Sequence, residues 1–233
     1  GGRLQGRRAL VTSGPTHEAI DPVRFISNRS SGKQGHAIAA AFAQLGAATT
    51  LVTGPTHEAD PPGVSVVRIE SAAEMLDACN AALPADVAVC AAAVTDWRPA
   101  EAATHKLKKR AGARAPEIRL TETPDILAHL SKPGNSRPRL VVGFALETED
   151  LMKNATKKLR AKGCDWIVAN AIGEKEKVFG VDENTVVLLK TAGMEVWPRL
   201  AKQEIGRRLA AAAADFLTVA GRLARSSSCR SFG

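Results

Sequence analysis

Two stretches decide the fold: ALVT at residues 9–12 and GHAIAAAFAQLGAATTLVT at residues 35–53. The first is a short, continuous apolar run. The second joins an Ala-rich segment of helical length, 35–45, to another apolar run at 49–53. Apolar runs of strand length without alternating polar residues are typical of strands that are covered on both faces. A strand, a helix and a second strand in this order therefore predict a parallel sheet with helices packed against it.

The same alternation continues along most of the chain. Further strands are predicted at 64–69, 87–92, 140–145 and 166–169, and further helices at 72–82, 125–130, 149–162 and 202–223. Two more short runs, 185–190 and 195–198, predict a hairpin around Ala192 and Gly193. The predicted fold class is α/β: a doubly wound, mainly parallel (Rossmann-like) sheet with helices on both faces and a late β-hairpin. In such folds ligands bind beyond the carboxyl ends of the strands.

The length of 233 residues fits a single domain over 1–225, and we expect the tail 226–233, SSSCRSFG, to be disordered. A chain of this size buries roughly 70% of its unfolded surface and needs no disulfide or metal to fold. The four cysteines, Cys79, Cys90, Cys164 and Cys229, form no C-x-x-C pair, and three lie in apolar segments. This usage is typical of a reducing compartment.

No apolar run approaches the ~20 residues of a membrane span, and the start has no signal-peptide pattern. We therefore expect a cytoplasmic protein with no membrane partner. The formal charge is +8, which admits nucleic acid as a partner. Aromatic residues that would stack on bases make up only 4% of the chain, and Tyr is absent. A pocket for a multiply charged small molecule explains the basic residues at least as well, and we expect no nucleic acid.

The loop RFISNRSSG, residues 24–32, follows the first strand but matches neither G-x-G-x-x-G nor G-x-x-x-x-G-K-[ST]. It offers the amide of Asn28, the hydroxyls of Ser30 and Ser31, and backbone N–H groups near Gly32 as donors to an oxyanion. Asn is uncharged at neutral pH, so it suits orienting a carbonyl group. The following Gly35 allows a helix to begin close to bound phosphate. The alternative is a capped polar turn.

Three charged side chains have both a functional and a structural interpretation. Lys158 and Lys162 lie four residues apart on one helix face, so they either bind phosphate or form a basic surface near a helix C-terminus. Asp96 follows a buried strand, where it binds a hydroxyl, a cation or a base edge, or else forms a turn before Pro99.

The long connection 95–116 has no periodicity, and connections of this length are often functional. Within it, Lys106 opens the sequence KLKK. Its ammonium either stabilises charge on a reacting phosphate or belongs to a charged surface loop.

The sequence TPDIL predicts a helix start with its N-cap near Thr123, Pro124 at N1 and Asp125 in the first turn. The free backbone N–H groups at such a helix start can bind an anion or a base. Phe144 ends a strand, where it packs either on a nucleobase or in the core. The hexapeptide GPTHEA occurs at 14–19 and at 54–59, and solvated strand-to-helix loops are favoured there over a metal site.

Over residues 8–209 the sequence closely resembles the phosphopantothenate–cysteine ligase (phosphopantothenoylcysteine synthetase) family of coenzyme A biosynthesis. The segments that carry the resemblance appear in one order: TSGPTHEAIDPVRFISNRSSGKQG, AAAVTDWRP, KLKK, PDIL, VVGFALET, KKLRAKGCDWIVAN and FGVDENTVVLL. In many bacteria this ligase is the C-terminal half of a bifunctional protein whose other half is a flavin-dependent decarboxylase. The present chain looks like the ligase half alone, so no flavin is expected in it.

The resemblance implies that 4′-phosphopantothenate and L-cysteine are joined at the expense of CTP, with Mg²⁺ or Mn²⁺ present. An acyl-cytidylate intermediate forms, and the products are 4′-phosphopantothenoyl-L-cysteine, CMP and pyrophosphate. A homodimer is also implied. Three departures from the family pattern affect no proposed charged role: SGPTHEA in place of AGGTREP, the continuation of KLKK into the basic RAGAR, and Trp97 in place of Tyr or Phe.

The resemblance also assigns residues to these steps. Asn28 positions the acyl carbonyl, Lys106 stabilises charge during acyl-cytidylate formation, and Asp96 shares the metal ion. The substrate phosphate and the intermediate contact Arg24, Asn28, Ser30, Ser31 and Gly32. The nucleotide contacts are Cys90, Ala91, Ala92, Asp96, Lys106, Pro124, Asp125, Ile126, Leu127, Phe144, Lys158 and Lys162. The alternative functional classes are a basic α/β nucleic-acid-binding module and a dinucleotide-dependent oxidoreductase. The second strand ends in TGP at 53–55, without the acidic residue that the oxidoreductase needs.

Overall fold

The computed structural model describes residues 2–108, 116–147, 150–171 and 183–228. The helices are α1 (Lys33–Gln44), α2 (Ala72–Ala81), α3 (Ile126–Ser131), α4 (Leu151–Lys162) and α5 (Lys202–Ser228). The strands are β1 (Arg8–Ser13), β2 (His17–Ala19), β3 (Phe25–Ser27), β4 (Ala48–Thr53), β5 (Val64–Arg68), β6 (Val87–Cys90), β7 (Trp97–Pro99), β8 (Leu120–Glu122), β9 (Leu140–Glu147), β10 (Trp166–Ala171), β11 (Glu183–Lys190) and β12 (Gly193–Ala201).

An eight-stranded sheet with the order β12-β11-β10-β9-β6-β1-β4-β5 forms the centre of the molecule. The strands from β5 across to β10 run parallel, whereas β11 and β12 are antiparallel and form the late hairpin. After β1 the chain builds the sheet outward through β4 and β5, then returns to the other side of β1 with β6. The α/β prediction is confirmed, and the switch in direction lies between β1 and β6.

Helices cover both faces of the sheet, as predicted. On one face α1 and α5 bury side chains such as Phe42 and Leu209 against β1 and β6. On the other face α2, α3 and α4 contribute residues such as Met75 and Leu159 to a second cluster. Successive strand residues point to opposite clusters, which explains why the strands read as continuous apolar runs.

Two short hairpins, β2–β3 and β7–β8, were not predicted from the sequence. Both lie in polar segments in which apolar and polar residues do not alternate, so the sequence contains no hydrophobic pattern that would predict these strands. The ring of His17 stacks on that of Phe25 across the first hairpin, with centroids 3.9 Å apart. β6 also ends at Cys90, so residues 91 and 92 belong to the following loop rather than to the predicted strand.

The predicted N-cap of α3 is wrong by two residues. The side chain of Asp125 is the cap and accepts a hydrogen bond from the amide of Ala128 at 2.9 Å. The hydroxyl of Thr123 instead donates to the carbonyl of Thr95. Pro124 therefore lies before the helix rather than at its first position.

Both ends of the predicted domain remain predictions. α5 extends to Ser228, whereas 229–233, including Cys229, lie outside the described residues. Cys79, Cys90 and Cys164 are free thiols. In the part of the chain that the structure describes, every helix is too short or too polar to cross a membrane.

Gly35 allows an unusually close approach between α1 and β1. A Cβ atom on Gly35 would lie 2.4 Å from the Cβ and 2.9 Å from the Cα of Ser13, the last residue of β1. Both Gly35 and Ser13 are buried. Only a residue without a side chain fits here, so packing of helix on strand explains Gly35 independently of any ligand.

We expect Gly35→Ala to lower the free energy of unfolding by about 2 kcal/mol, because the new methyl group meets the backbone of β1. In an ordinary helix the same change stabilises by roughly 0.5–1 kcal/mol. Urea titration measures the effect, with Gln44→Ala at the exposed end of α1 as the control, expected to stay within about 0.5 kcal/mol of the starting protein. Unchanged or increased stability of Gly35→Ala would contradict the packing argument.

Candidate active site

A polar cleft of about 470 Å³ opens beyond the carboxyl ends of the central parallel strands. All the predicted nucleotide-binding residues except Ala91 and Lys106 line it. They lie together with Thr12, Val94, Thr95, Trp97, Glu122 and Thr123. The shared strand direction explains the grouping, because Cys90 ends β6 and Phe144 lies in the neighbouring β9. The start of α3 and two lysines of α4 complete the lining at the same edge. The sequence thus predicted most of the cleft.

The floor of the cleft is fixed by β1. The amide of Ala91 donates to the carbonyl of Thr12 at 3.3 Å, and the amide of Ala92 donates to the Thr12 hydroxyl at 3.2 Å. Because both amides already donate to Thr12, they do not point free N–H groups at a ligand. Thr12 was missed in the sequence analysis, and its only sequence signal is its place near the carboxyl end of a core strand. Burial raises the pKa of the Cys90 thiol well above its ordinary value, which keeps it neutral.

Two lysines bring positive charge into the cleft from α4. The ammonium of Lys158 donates to the carbonyl of Phe144 at 2.7 Å, and that of Lys162 forms an ion pair with Asp125. Their four-residue spacing would make them repel each other, but separate acceptors hold the two charges. Both side chains line the cleft rather than a purely solvent-exposed helix face. The arrangement presents two cations to any anion that enters.

Asp125 combines a structural and an electrostatic task. One carboxylate oxygen caps α3, and the other accepts from Lys162. Burial alone would raise the pKa of this carboxyl. The hydrogen bonds from Lys162 and Ala128 outweigh burial, so the pKa lies below its ordinary value. A bound polyphosphate would compete with an ionised Asp125 for the Lys162 ammonium.

The loop after β6 places Asp96 at the mouth of the cleft. Thr95 is buried, and its amide donates to the hydroxyl of Thr16 at 3.2 Å. The amide of Thr123 donates to the backbone carbonyl of Asp96 at 3.1 Å, and the Asp96 side chain is exposed. No group of three or more His, Cys, Asp or Glu suited to a metal occurs among the described residues. One carboxylate beside phosphate oxygens still fits the usual coordination of Mg²⁺.

The SNRSSG loop borders the cleft without lining it. The Asn28 amide nitrogen donates to the carbonyl of Val94 at 3.0 Å, and Val94 is part of the cleft wall. The hydroxyls of Ser30 and Ser31 accept from the loop amides of Gly32 and Lys33 at 3.3 and 3.4 Å. These bonds agree with the capped-turn interpretation of the serines, while the role of Asn28 stays a prediction.

The two copies of the GPTHEA hexapeptide hold two different loops that border the cleft. In the first copy Thr16 accepts from the amide of Thr95, and buried Glu18 accepts from the amide of Ala72 at 2.8 Å. In the second copy the Thr56 hydroxyl donates to the carbonyl of Ser31 at 2.6 Å. The first copy is therefore buried rather than solvated as expected. Each copy uses its threonine to fix one loop next to the cleft.

Lys106 and Arg24 lie outside the cleft lining: Arg24 is in the turn between β2 and β3, and Lys106 is in the connection from β7 to β8. Lys106 is exposed, and residues 109–115 that follow its loop lie outside the described residues. Arg24 forms an ion pair with Asp21 at 2.6 Å and also donates to the carbonyl of Leu107 at 2.6 Å. Asp21 was not singled out from the sequence, because an isolated acidic residue in a polar segment carries no distinguishing pattern.

Comparison with known proteins identifies the family. Residues 4–217 match the family model of the DNA/pantothenate metabolism flavoprotein C-terminal domain. The coenzyme A biosynthesis bifunctional protein CoaBC of Mycobacterium bovis is 48% identical over 202 residues, which cover 82% of this chain and 48% of that protein. CoaBC of Vibrio vulnificus is 42% identical over 196 residues, covering 84% and 49%. The chain thus spans about half the length of these two relatives.

The solved structures agree with this relationship. A crystal structure of the C-terminal domain of a coenzyme A biosynthesis bifunctional protein CoaBC superimposes with a TM-score of 0.77 and 38% identity. The alignment covers 94% of this chain and 99% of that domain. Sequence and structure lead to the same conclusion: the chain belongs to the DNA/pantothenate metabolism flavoprotein C-terminal domain family.

Proposed function

We propose that this domain joins 4′-phosphopantothenate to L-cysteine in coenzyme A biosynthesis, using CTP to activate the carboxylate. The observation that carries the proposal is the cleft, which collects Asp96, Lys158 and Lys162 beside Asn28 at one edge of the sheet. Membership of the family in which relatives are named CoaBC supports the same activity. The products are 4′-phosphopantothenoyl-L-cysteine, CMP and pyrophosphate.

In the first half of the reaction a carboxylate oxygen of phosphopantothenate attacks the α-phosphorus of CTP. The new bond gives the acyl-cytidylate, and the bond from the α-phosphorus to the bridging oxygen breaks to release pyrophosphate. Lys158 and Lys162 bind the triphosphate, and Lys106 stabilises the negative charge that develops. A single close charge pair near a surface contributes up to about 4 kcal/mol before desolvation is subtracted. Positioning and electrostatics therefore supply the catalysis.

Asp96 and the phosphate oxygens would hold Mg²⁺ or Mn²⁺. When bound, the ion neutralises phosphate charge at the reacting group. The exposed Asp96 carboxylate at the cleft mouth suits a metal that keeps several water ligands, which is how Mg²⁺ usually binds with nucleotides.

In the second half the amine of cysteine attacks the acyl carbonyl and CMP leaves. Asn28 holds this carbonyl through its side-chain N–H, which in the structure donates to Val94 at the border of the cleft. Arg24, Ser30, Ser31 and Gly32 contact the substrate phosphate and the bound intermediate. A neutral amide suits this role because it orients a carbonyl without transferring protons.

We further infer a homodimer through the two short hairpins. They carry exposed apolar side chains, a composition typical of a covered surface: Val23, Phe25, Trp97, Ile118 and Leu120. The ligase would act fused to, or assembled with, a flavin-dependent decarboxylase, and the ligase reaction itself needs no flavin. We expect a dimer by sedimentation at micromolar concentration, and a purely monomeric species there would contradict the interface.

The function is tested by pyrophosphate release from CTP and, separately, from ATP, with phosphopantothenate, Mg²⁺ and cysteine. Omission of each reactant in turn defines what the release requires. We expect release that depends on phosphopantothenate and is lost in Lys162→Gln, because the triphosphate loses a cation. Lys153→Gln, on the exposed face of the same helix, is the matched control and should retain activity. Absence of phosphopantothenate-dependent release with either nucleotide would refute the ligase assignment.

For Asn28→Asp we expect acyl-cytidylate to form while amide formation falls by about 100-fold, since a carboxylate repels the carbonyl oxygen that Asn28 orients. Single-turnover assays that follow pyrophosphate and the amide product separately measure the two halves. Asn135→Asp makes the same chemical change in the α3–β9 connection, at the opposite edge of the sheet, and should alter neither half. Equal loss of both halves in Asn28→Asp would remove Asn28 from the second step.

A further inference from the structure

The turn between β2 and β3 is bonded directly to the loop that carries Lys106. The amide of Ala103 donates to the carbonyl of Ile20 at 2.9 Å. Further along, the amide of Leu107 donates to the carboxylate of Asp21 at 3.1 Å, and Arg24 donates to the carbonyl of Leu107 at 2.6 Å. The 103–108 loop is therefore attached at both of its ends to one short turn.

Asp21 is the centre of this attachment, and its two oxygens have separate tasks. Oδ1 accepts from the amides of Val23 and Arg24, both at 2.9 Å, and so closes the turn itself. Oδ2 accepts from the Arg24 guanidinium at 2.9 and 2.6 Å and from the Leu107 amide at 3.1 Å. The turn needs only Oδ1, which leaves Oδ2 for Arg24 and the loop.

The environment keeps Asp21 ionised. The residue is only 3% exposed, so its charge is stabilised by these partners rather than by bulk water. The hydrogen bond from Arg24 is the largest influence and, with the backbone amides, it holds the pKa of the Asp21 carboxyl well below its ordinary range despite burial. A charged acceptor forms stronger hydrogen bonds than a neutral one, which makes the attachment firm.

Leu107 is held on both sides of its Cα, at its N–H and at its C=O. The peptide group that joins Lys106 to Leu107 is therefore fixed in orientation, and with it the backbone from which the Lys106 side chain extends. We propose that Asp21 is a positioning residue for the first half-reaction: acting with Arg24 on Leu107, it fixes the point from which the Lys106 ammonium reaches the reacting phosphate. This inference rests on the proposed ligase function.

Asp21→Asn separates the two tasks of the carboxylate. The Asn carbonyl oxygen can still accept from the turn amides, whereas its NH₂ group faces the donors of Arg24 and Leu107 and cannot accept from them. We expect kcat for pyrophosphate release to fall by about 10- to 100-fold, the usual cost of a misplaced catalytic group. The KM for CTP should change by less than about threefold, because Lys158 and Lys162 hold the triphosphate independently of Asp21.

Asp165→Asn is the matched control. The Asp165 carboxylate also pairs with an arginine, Arg137, and accepts from a backbone amide, that of Val141 at 2.7 Å. It precedes β10 and so lies at the amino edge of the sheet, away from the cleft. The control variant should lose stability without losing kcat. Lys106→Gln provides the reference for complete loss of the ammonium.

Amide hydrogen exchange provides a readout that does not depend on activity. In the substrate-free protein, Asp21→Asn should speed exchange in a peptide that contains residues 103–108 by about tenfold, because the Leu107 amide loses a charged acceptor. Asp165→Asn should leave that peptide unchanged. Together with the kcat measurement, this distinguishes a loosened loop from a generally destabilised protein.

Faster exchange in 103–108 together with a lower kcat in Asp21→Asn alone supports the proposal. Unchanged exchange overturns the attachment, whatever the enzyme catalyses. Faster exchange with an unchanged kcat, or an equal fall of kcat in Asp165→Asn, overturns the positioning role. A starting protein that releases no pyrophosphate removes the ligase function and with it the catalytic role of Asp21, while exchange still decides whether Asp21 holds the loop.

Discussion

The close contact between Ser13 and Gly35 determines the arrangement of the rest of the site. It brings the start of α1 against the end of β1, where the Ser13 hydroxyl donates to the carbonyl of Gly32 at 2.9 Å. Nδ1 of buried His36 lies 3.0 Å from the same carbonyl. Gly32, with a φ of 79°, is the last residue of the SNRSSG loop. The two contacts to its carbonyl therefore fix the point at which the loop joins α1. A helix set one methyl group further from β1 would carry the loop away from the cleft.

The switch in strand order divides the carboxyl edge of the sheet into two regions with different tasks. Beyond β6 and β9 the edge is open and holds two lysines of the cleft. Beyond β1 and β4 the two GPTHEA loops pack closely on each other, and a Cβ atom on Gly54 would lie 1.6 Å from the carbonyl oxygen of Pro15. These two loops anchor Thr95 and Ser31, whose own loops border the open region.

Local patterns predicted the layers and singled out part of the cleft, namely Asp96, Phe144, the start of α3, Lys158 and Lys162, whereas the family resemblance added the other predicted cleft residues. Continuous apolar runs predicted the strands, and a parallel sheet brings the residues at their carboxyl ends together whatever their separation in the chain. The roles of the cleft residues came from the family resemblance, since composition left Lys158 and Lys162 open to a purely structural interpretation. What could not be predicted depends on tertiary contacts: Thr123 bonds to Thr95 rather than capping α3, and Asp21 gains its partner from Leu107, 86 residues further along the chain.

The positions of the three lysines suit a site that binds a highly charged ligand. Without a ligand, Lys158 is held by the carbonyl of Phe144 and Lys162 by Asp125, so their mutual repulsion is offset inside the cleft. A third ammonium beside them would add to the repulsion between like charges in the free protein. Lys106 is instead carried outside the cleft, on a loop fixed to the β2–β3 turn through Asp21 and Arg24. On the proposed function, the ammonium of Lys106 acts together with Lys158 and Lys162 only when a bound polyphosphate compensates the three charges, which favours the charged transition state over the empty site.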